Sequence, residues 1–239
     1  MAKYKVHVIR TCPFSARVLL TANLVNLDFE LIVHTGYATL NTPEFLAMNP
    51  RAQCPVLETP DGGSLYESGA IIRYLARLHP DYKLYGDNLF DSAKIDILIT
   101  KSNRFDVIVS RLFQFQINKK GRAPNEEEYQ GKKKELYEKL TQLNEFLGER
   151  TFQHGNRLSI ADISLAPHLI TPFTWYVTPE DRAQFKNVVR YFNHITGQDF
   201  WVKTFGKFRY CEEEFPRMTP EQYQACLAAE EAKKQKAEE

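Results

Sequence analysis

Between Lys3 and His79 short apolar runs alternate with helical repeats, and that alternation restricts the fold more than any other property of the chain. Residues 3–9 read as a strand. Residues 13–25 predict a helix with Val18, Leu19, Ala22 and Val25 on one face. DFELIVHT follows as a second strand, and TPEFLAMNP as a short helix begun by Thr42, with Pro43 at its first position and a stop before Pro50. QCPVLETPDGGSLYES then gives two short strands joined by Pro60-Asp61-Gly62-Gly63, a turn with hairpin chemistry. After it, GAIIRYLARLH repeats Ile71, Ile72, Leu75 and Leu78 at helical spacing. Strand, helix, strand, helix, strand, strand, helix is an α/β unit with a mixed sheet.

From Asp87 the pattern changes to long helical repeats over 89–117, 126–148, 160–177 and 181–195, broken by segments such as NKKGRAPN. A second, all-helical domain is expected there. Its sharpest local signal is LSIADISLAP, where Ser159 and Asp162 form a capping box and Leu158 can staple onto Ile163. AAEEAKKQKAEE has no large apolar residue after Leu227, so it cannot feed a core and reads as a solvated helix or linker, expected in a fragment of something longer. The expected division is residues 1–80, a linker at 81–88, a helical domain at 89–215 and a charged tail at 216–239.

At 239 residues, 43% hydrophobic and 26% charged, the chain can bury real cores. A net charge of +1 provides no global field to draw it to nucleic acid or an anionic membrane. Lys119-Lys120 and Lys132 to Lys134 are offset by Glu126 to Glu128 and Glu135, a solvated helical face, so direct nucleic-acid binding is not expected. MAKYKVHVIR lacks a signal-peptide core, and no apolar run approaches the roughly 20 residues that span a bilayer. A soluble, cytoplasmic protein is expected. Cys12, Cys54, Cys211 and Cys226 lie far apart, and His34, His79, His154, His168 and His194 show no ligand spacing, so neither disulfide nor metal is expected.

One motif carries chemistry. In RTCPFSARV, residues 10–18, a proline at the first helical position makes Cys12 the N-cap, where unpaired N–H groups and the helix dipole favour a thiolate. Position 15 is serine, which leaves one-cysteine chemistry with Ser15 as a nearby hydroxyl; the alternative is that Cys12 is a small cap residue packed under the next turn. Tyr4 is read as a strand residue. The aromatics Phe105, Phe113 and Phe115 could line an acceptor pocket, but helical aromatics are more often core.

The seven-element order, with Cys54-Pro55 opening the third strand and Glu67-Ser68 opening the third helix, resembles the glutathione transferase superfamily: an α/β thioredoxin-like N-terminal domain followed by an all-helical C-terminal domain. The resemblance implies a cis Pro55, backbone pairing of Cys54 with the cysteinyl part of glutathione, and Glu67-Ser68 on its γ-glutamyl carboxylate. It also implies Gln53, with Arg51 nearby, on the glycyl carboxylate. TCPFSARV is similar to omega-class transferases and dehydroascorbate reductases, in which the cysteine forms a mixed disulfide with glutathione; that implies catalysis by Cys12. TPEFLAMNPRAQCPVLETPDGGSLYESGAI, RTFQHGNRLSIADISLAP, NVVRYFNHI and GKFRYCEE, in order from Thr42 to Glu213, resemble the N-terminal domain of the gamma subunit of translation elongation factor 1. That family implies a module docking the guanine nucleotide exchange subunit, with a homodimer as the other assembly, and continues through a Lys/Glu/Ala-rich linker. Segment 10–18 departs from its pattern, so enzyme and interaction module both stand at this point.

Overall fold

The computed structural model describes residues 3–35, 37–117 and 126–216, together with 219, 221, 222 and 225. Lys119, Lys120, Cys226 and most of the expected tail lie outside the described residues.

Four strands, β1 (Tyr4–Val8), β2 (Phe29–Val33), β3 (Val56–Glu58) and β4 (Ser64–Tyr66), form one sheet in the order β2-β1-β3-β4. β1 runs parallel to β2 and antiparallel to β3. The hairpin between β3 and β4 closes with Thr59 N–H donating to Gly63 O at 2.8 Å, and Gly62 takes the positive φ of 88° that its turn requires. α1 (Pro13–Leu24) and α3 (Ser68–Leu78) cover one face, joined to the sheet by Val6, Val8, Val18, Leu20, Ile71, Ile72 and Leu75, all fully buried. Leu78, expected on the same stripe, is exposed at the helix end. The short α2 (Pro43–Met48) starts as expected, with the Thr42 hydroxyl accepting from Phe45 N–H.

The second half contains α4 (Leu89–Ser102), α5 (Arg104–Ile117), α6 (Glu126–Leu147), α7 (Ile160–Trp175), α8 (Pro179–Arg182), α9 (Lys186–Thr196) and α10 (Asp199–Phe205). Two repeats read as single helices are broken. The 89–117 repeat breaks at Asn103, whose side-chain carbonyl is taken by a guanidinium from α1, Arg17 Nη1, at 2.9 Å. Asparagine is a weak helix former, and a distant partner decides the issue. The 181–195 repeat divides before Lys186, because Thr178 caps the separate turn of α8 and Asn144 on α6 accepts from Asn187 and Val188 N–H at 2.9 and 3.3 Å.

α7 starts where the Ser159/Asp162 pattern places it. The Asp162 carboxylate is fully buried and accepts from Gln153 N–H (2.8 Å), Ser159 N–H (2.9 Å), Ser159 Oγ (2.9 Å) and Tyr191 Oη (3.0 Å). One side chain thus fixes a loop, a helix start and α9. The expected linker is packed: Leu84 is buried and its carbonyl accepts from Ile160 N–H at 2.9 Å, tying the connection to the start of α7. Among the described residues, no helix is long and apolar enough to cross a membrane.

Candidate functional site

The start of α1 opens onto a cavity of about 710 Å³ between the two halves. Cys12, Pro13 and Ala16 form one wall, Val109 and Phe113 of α5 a second, Ile170 and Trp175 of α7 a third, and Trp201 with Phe205 of α10 a fourth. Phe113 stacks on Trp175 at 5.0 Å, so it does line the cavity, whereas Phe105 is core and the Phe115 side chain lies outside the described residues. Cys12 is the N-cap of α1, as its proline neighbour requires, and its thiol makes no capping hydrogen bond. Cys12 is half-buried and lines the cavity wall.

Ser15 is placed differently from the expectation. It is buried, and its hydroxyl accepts from Ile9 N–H at 3.2 Å, because three residues of helix turn it away from the cavity and toward the end of β1. It holds the strand-to-helix corner rather than serving Cys12.

The Cys54–Pro55 peptide bond is cis, and Pro55 is buried at the start of β3. Burial, helped by the Cys12 charge, pushes the Cys54 thiol up to about 12, so it stays protonated at neutral pH and is no nucleophile. Gln53 is exposed; its carbonyl accepts from Asn49 Nδ2 at 2.7 Å, which fixes the loop and leaves its amide toward solvent. Arg51 pairs instead with Glu67, Nη1 to Oε1 3.1 Å. Glu67 is the N-cap of α3 with φ 66°, a left-handed conformation that costs a non-glycine residue about 1 kcal/mol or more. Ser68 is therefore the first helical residue and not the cap.

Arg17 is the residue that the sequence reading missed. It is 3% exposed, and its Nε and Nη2 both donate to Ser68 Oγ, at 3.0 and 2.6 Å, while Nη1 donates to Asn103. Among the described residues it has no ion pair, and burial, with Arg73 adding repulsion, brings it down to about 10. Buried guanidinium groups are normally paired with carboxylates. With two N–H groups directed onto its lone pairs, Ser68 has its own hydroxyl hydrogen free to donate to an incoming anion. The visible signal was an arginine five residues beyond Cys12; its partners are 51 and 86 residues away.

Other histidines are engaged elsewhere. His7, a sixth histidine not weighed in the sequence reading, lies between His34 (3.0 Å) and Glu58 (2.7 Å) on the sheet, and His154 Nε2 lies 3.3 Å from Asp91. Tyr4 sits in β1, its hydroxyl 3.1 Å from that of Tyr74 and pushed up to about 12. Among the described residues, no group of three or more His, Cys, Asp or Glu side chains is placed to hold a metal ion.

The model for the glutathione S-transferase N-terminal domain matches residues 11–78, and that for the C-terminal domain matches residues 101–199. The chain belongs to the glutathione S-transferase superfamily. Probable elongation factor 1-gamma 1 of Arabidopsis thaliana is 31% identical over 237 residues, covering 97% of this chain and 56% of the relative. Glutathione S-transferase omega-1 of Sus scrofa is 30% identical over 166 residues, 68% of this chain and 64% of that protein. The crystal structure of the GST-like domain of elongation factor 1-gamma from Saccharomyces cerevisiae superposes with a TM-score of 0.75 at 20% identity, covering 92% of this chain and all of that one. The chain spans about half the length of the elongation-factor relatives it matches.

Proposed function

We propose that the chain is the glutathione-transferase-like interaction module of an elongation factor 1 gamma subunit, and that it docks the guanine nucleotide exchange subunit of that complex. The observation that carries this reading is the similarity to elongation factor 1-gamma, which extends over 97% of the chain and so includes both domains, whereas the omega-type relative covers 68%. An exposed apolar surface supports it. Phe90 and Ile97, seven residues apart and so on one face of α4, are 69% and 55% exposed, and Leu89 beside them is 91% exposed. Lys94 lies 4.5 Å over the Phe90 ring. A docking contact of this composition depends on apolar burial more than on charge, so it is expected to survive moderate salt and Cys12→Ser. Co-purification of the Cys12→Ser chain with the exchange subunit tests this: a complex is expected, and its absence would count against the module.

The site geometry favours a second activity, compatible with the first. In this reading glutathione is bound at the sheet edge by Gln53, Cys54, Pro55, Glu67 and Ser68. The γ-glutamyl carboxylate accepts from the Ser68 hydroxyl, which Arg17 positions. In thiol transfer, the Cys12 thiolate would attack the glutathione sulfur of a mixed disulfide. A new S–S bond forms to Cys12, the old one breaks, and the released thiolate takes a proton from water. A second glutathione then releases Cys12 as the thiolate and leaves as oxidised glutathione. Ser68→Ala removes one charge-assisted hydrogen bond, so calorimetry is expected to show glutathione binding weakened about tenfold or more. Equal affinity in the two proteins would remove Ser68 from the site.

A further inference from the structure

The sheet face beneath α2 carries a pair of histidines that the proposed function does not use. Side chains alternate along β1, so Val6 and Val8 face α1 and α3 while Lys5 and His7 face the other way. His34 directly follows β2, its N–H donating to Val8 O at 2.8 Å. The two rings stack with 5.3 Å between centroids, and the buried Phe45 of α2 sets its edge on both, at 5.7 and 5.0 Å.

Their hydrogen bonds form one chain. His7 Nε2 lies 2.7 Å from Glu58 Oε1, and His7 Nδ1 lies 3.0 Å from His34 Nε2. His34 makes its remaining bond to the backbone of Thr39, in the turn Tyr37–Thr39 before α2; that bond favours the protonated ring, as a carbonyl acceptor does. A carboxylate and a carbonyl only accept, so each end of the chain requires a ring N–H, and the central N···N contact requires a third. Neutral imidazoles carry one hydrogen each. The pair therefore has a place for one proton beyond its neutral count. Glu58 and His34 occupy opposite nitrogens of His7, so the three do not converge on a metal ion.

We propose that this pair is a one-proton latch: His7 and His34 together hold a single added proton between Glu58 and Thr39, and that proton fixes the segment from Tyr37 through α2 onto the sheet. Loss of the proton leaves one of the three bonds without a hydrogen. A second added proton places two N–H groups against each other at the central contact, and burial with the His7 charge already holds His34 below its ordinary 6.5. The surrounding charges are few. Lys5 Nζ lies 3.6 Å from Glu58 and competes for it, Glu30 is the β2 neighbour of Lys5, and Glu44 of α2 and Tyr66 of β4 are exposed. Cys54, packed beside Phe45 and Val56, stays neutral. The consequence for ligand binding rests on the glutathione reading: α2 runs into Asn49, whose Nδ2 holds Gln53 O at 2.7 Å, so unlatching α2 displaces the loop that carries Gln53 and Cys54.

Long-range proton–nitrogen NMR of the labelled, unaltered chain from pH 5 to 9 counts the ring hydrogens directly. The singly charged pair is expected to show three N–H nitrogens, with His34 protonated on Nδ1 and its Nε2 free of hydrogen. As pH rises, the extra proton is expected to leave in one step seen by both rings. Across that step, exchange of the Phe45, Leu46 and Asn49 amides, corrected for base catalysis, is expected to quicken about fivefold or more as one latch bond is lost. These amides donate to Thr42 Oγ1, Thr42 O and Phe45 O, the bonds that define α2. Glu58→Gln removes the counter-charge and is expected to move the step about one pH unit lower. Hydrogen on His34 Nε2 in the singly charged pair, independent steps in the two rings, a step unmoved by Glu58→Gln, or α2 exchange unchanged across it would overturn the latch. Every reading is taken without glutathione, so failure here is separate from failure of the Ser68 calorimetry.

Discussion

Replacing Asp162 with alanine is expected to lower the unfolding free energy by about 4 kcal/mol, from four buried donors left without an acceptor at roughly 1 kcal/mol or more each. Those donors belong to the loop before α7, to the α7 N-cap and to Tyr191 on α9. The damage would therefore spread over the whole helical domain. Burial raises the Asp162 pKa, while the Gln153, Ser159 and Tyr191 bonds pull it down, so the same contacts that place the carboxylate also make its burial tolerable. Asp162→Asn keeps two lone-pair acceptors on Oδ1, for Gln153 and Tyr191, and is expected to lose less. Denaturant titration of the three proteins gives the comparison; a loss below about 1 kcal/mol for the alanine variant would show that these bonds do not hold the domain.

The second large effect concerns acid. His168 on α7 is 3% exposed, neither ring nitrogen has a hydrogen-bond partner among the described residues, and burial with the nearby Arg17 charge brings it down to about 3. An unfolded histidine titrates near 6.5. Below that pH the unfolded chain takes up a proton that the folded chain refuses, so stability is fully present above about 6.5 and is lost as pH falls toward 3. At pH 4 the loss from this one group is roughly 3 kcal/mol. His34, also lowered by burial and by His7, adds in the same direction, whereas Asp106 and Asp162, both raised, act oppositely. Comparing the unaltered protein with His168→Phe removes the terms that the two share. Phenylalanine keeps the edge contact with Phe14, 5.2 Å between ring centroids, and has no polar atoms to leave unpaired. The variant is expected to be more stable at pH 7 by about 1–3 kcal/mol and to have a shallower decline between pH 6.5 and 4. Parallel stability curves would show that the imidazole is hydrated in solution.

What was legible in the sequence was what neighbouring residues decide. Pro13 after Cys12, Pro43 after Thr42, the Pro60 to Gly63 turn and the Ser159/Asp162 pair each set a local boundary, and each boundary is found where it was read. The order of those elements, with Cys54-Pro55 opening the third strand and Glu67-Ser68 the third helix, resembles the superfamily that the family models show. Features decided by distant partners were not legible. The break at Asn103 depends on Arg17 from α1, and the start of α9 depends on Asn144 from α6. Ser15 and Arg17 stand two residues apart in one motif, yet only packing turns one onto Ile9 and the other onto Ser68. The cavity is of the same kind, since the residue 10–16, 106–113, 167–175 and 201–209 segments meet only in the fold.

The most direct test of the module is a sedimentation-velocity titration of the chain with the exchange subunit of elongation factor 1. The unaltered protein, Cys12→Ser and the double variant Phe90→Asp, Ile97→Asp would be run side by side, with thiol-transfer activity recorded on the same samples. A faster-sedimenting complex of equal affinity is expected for the unaltered protein and Cys12→Ser, with the complex lost or weakened at least tenfold in the double variant. No complex from any of the three, alongside thiol transfer that vanishes only with Cys12→Ser, would contradict the docking function and leave an enzyme in its place.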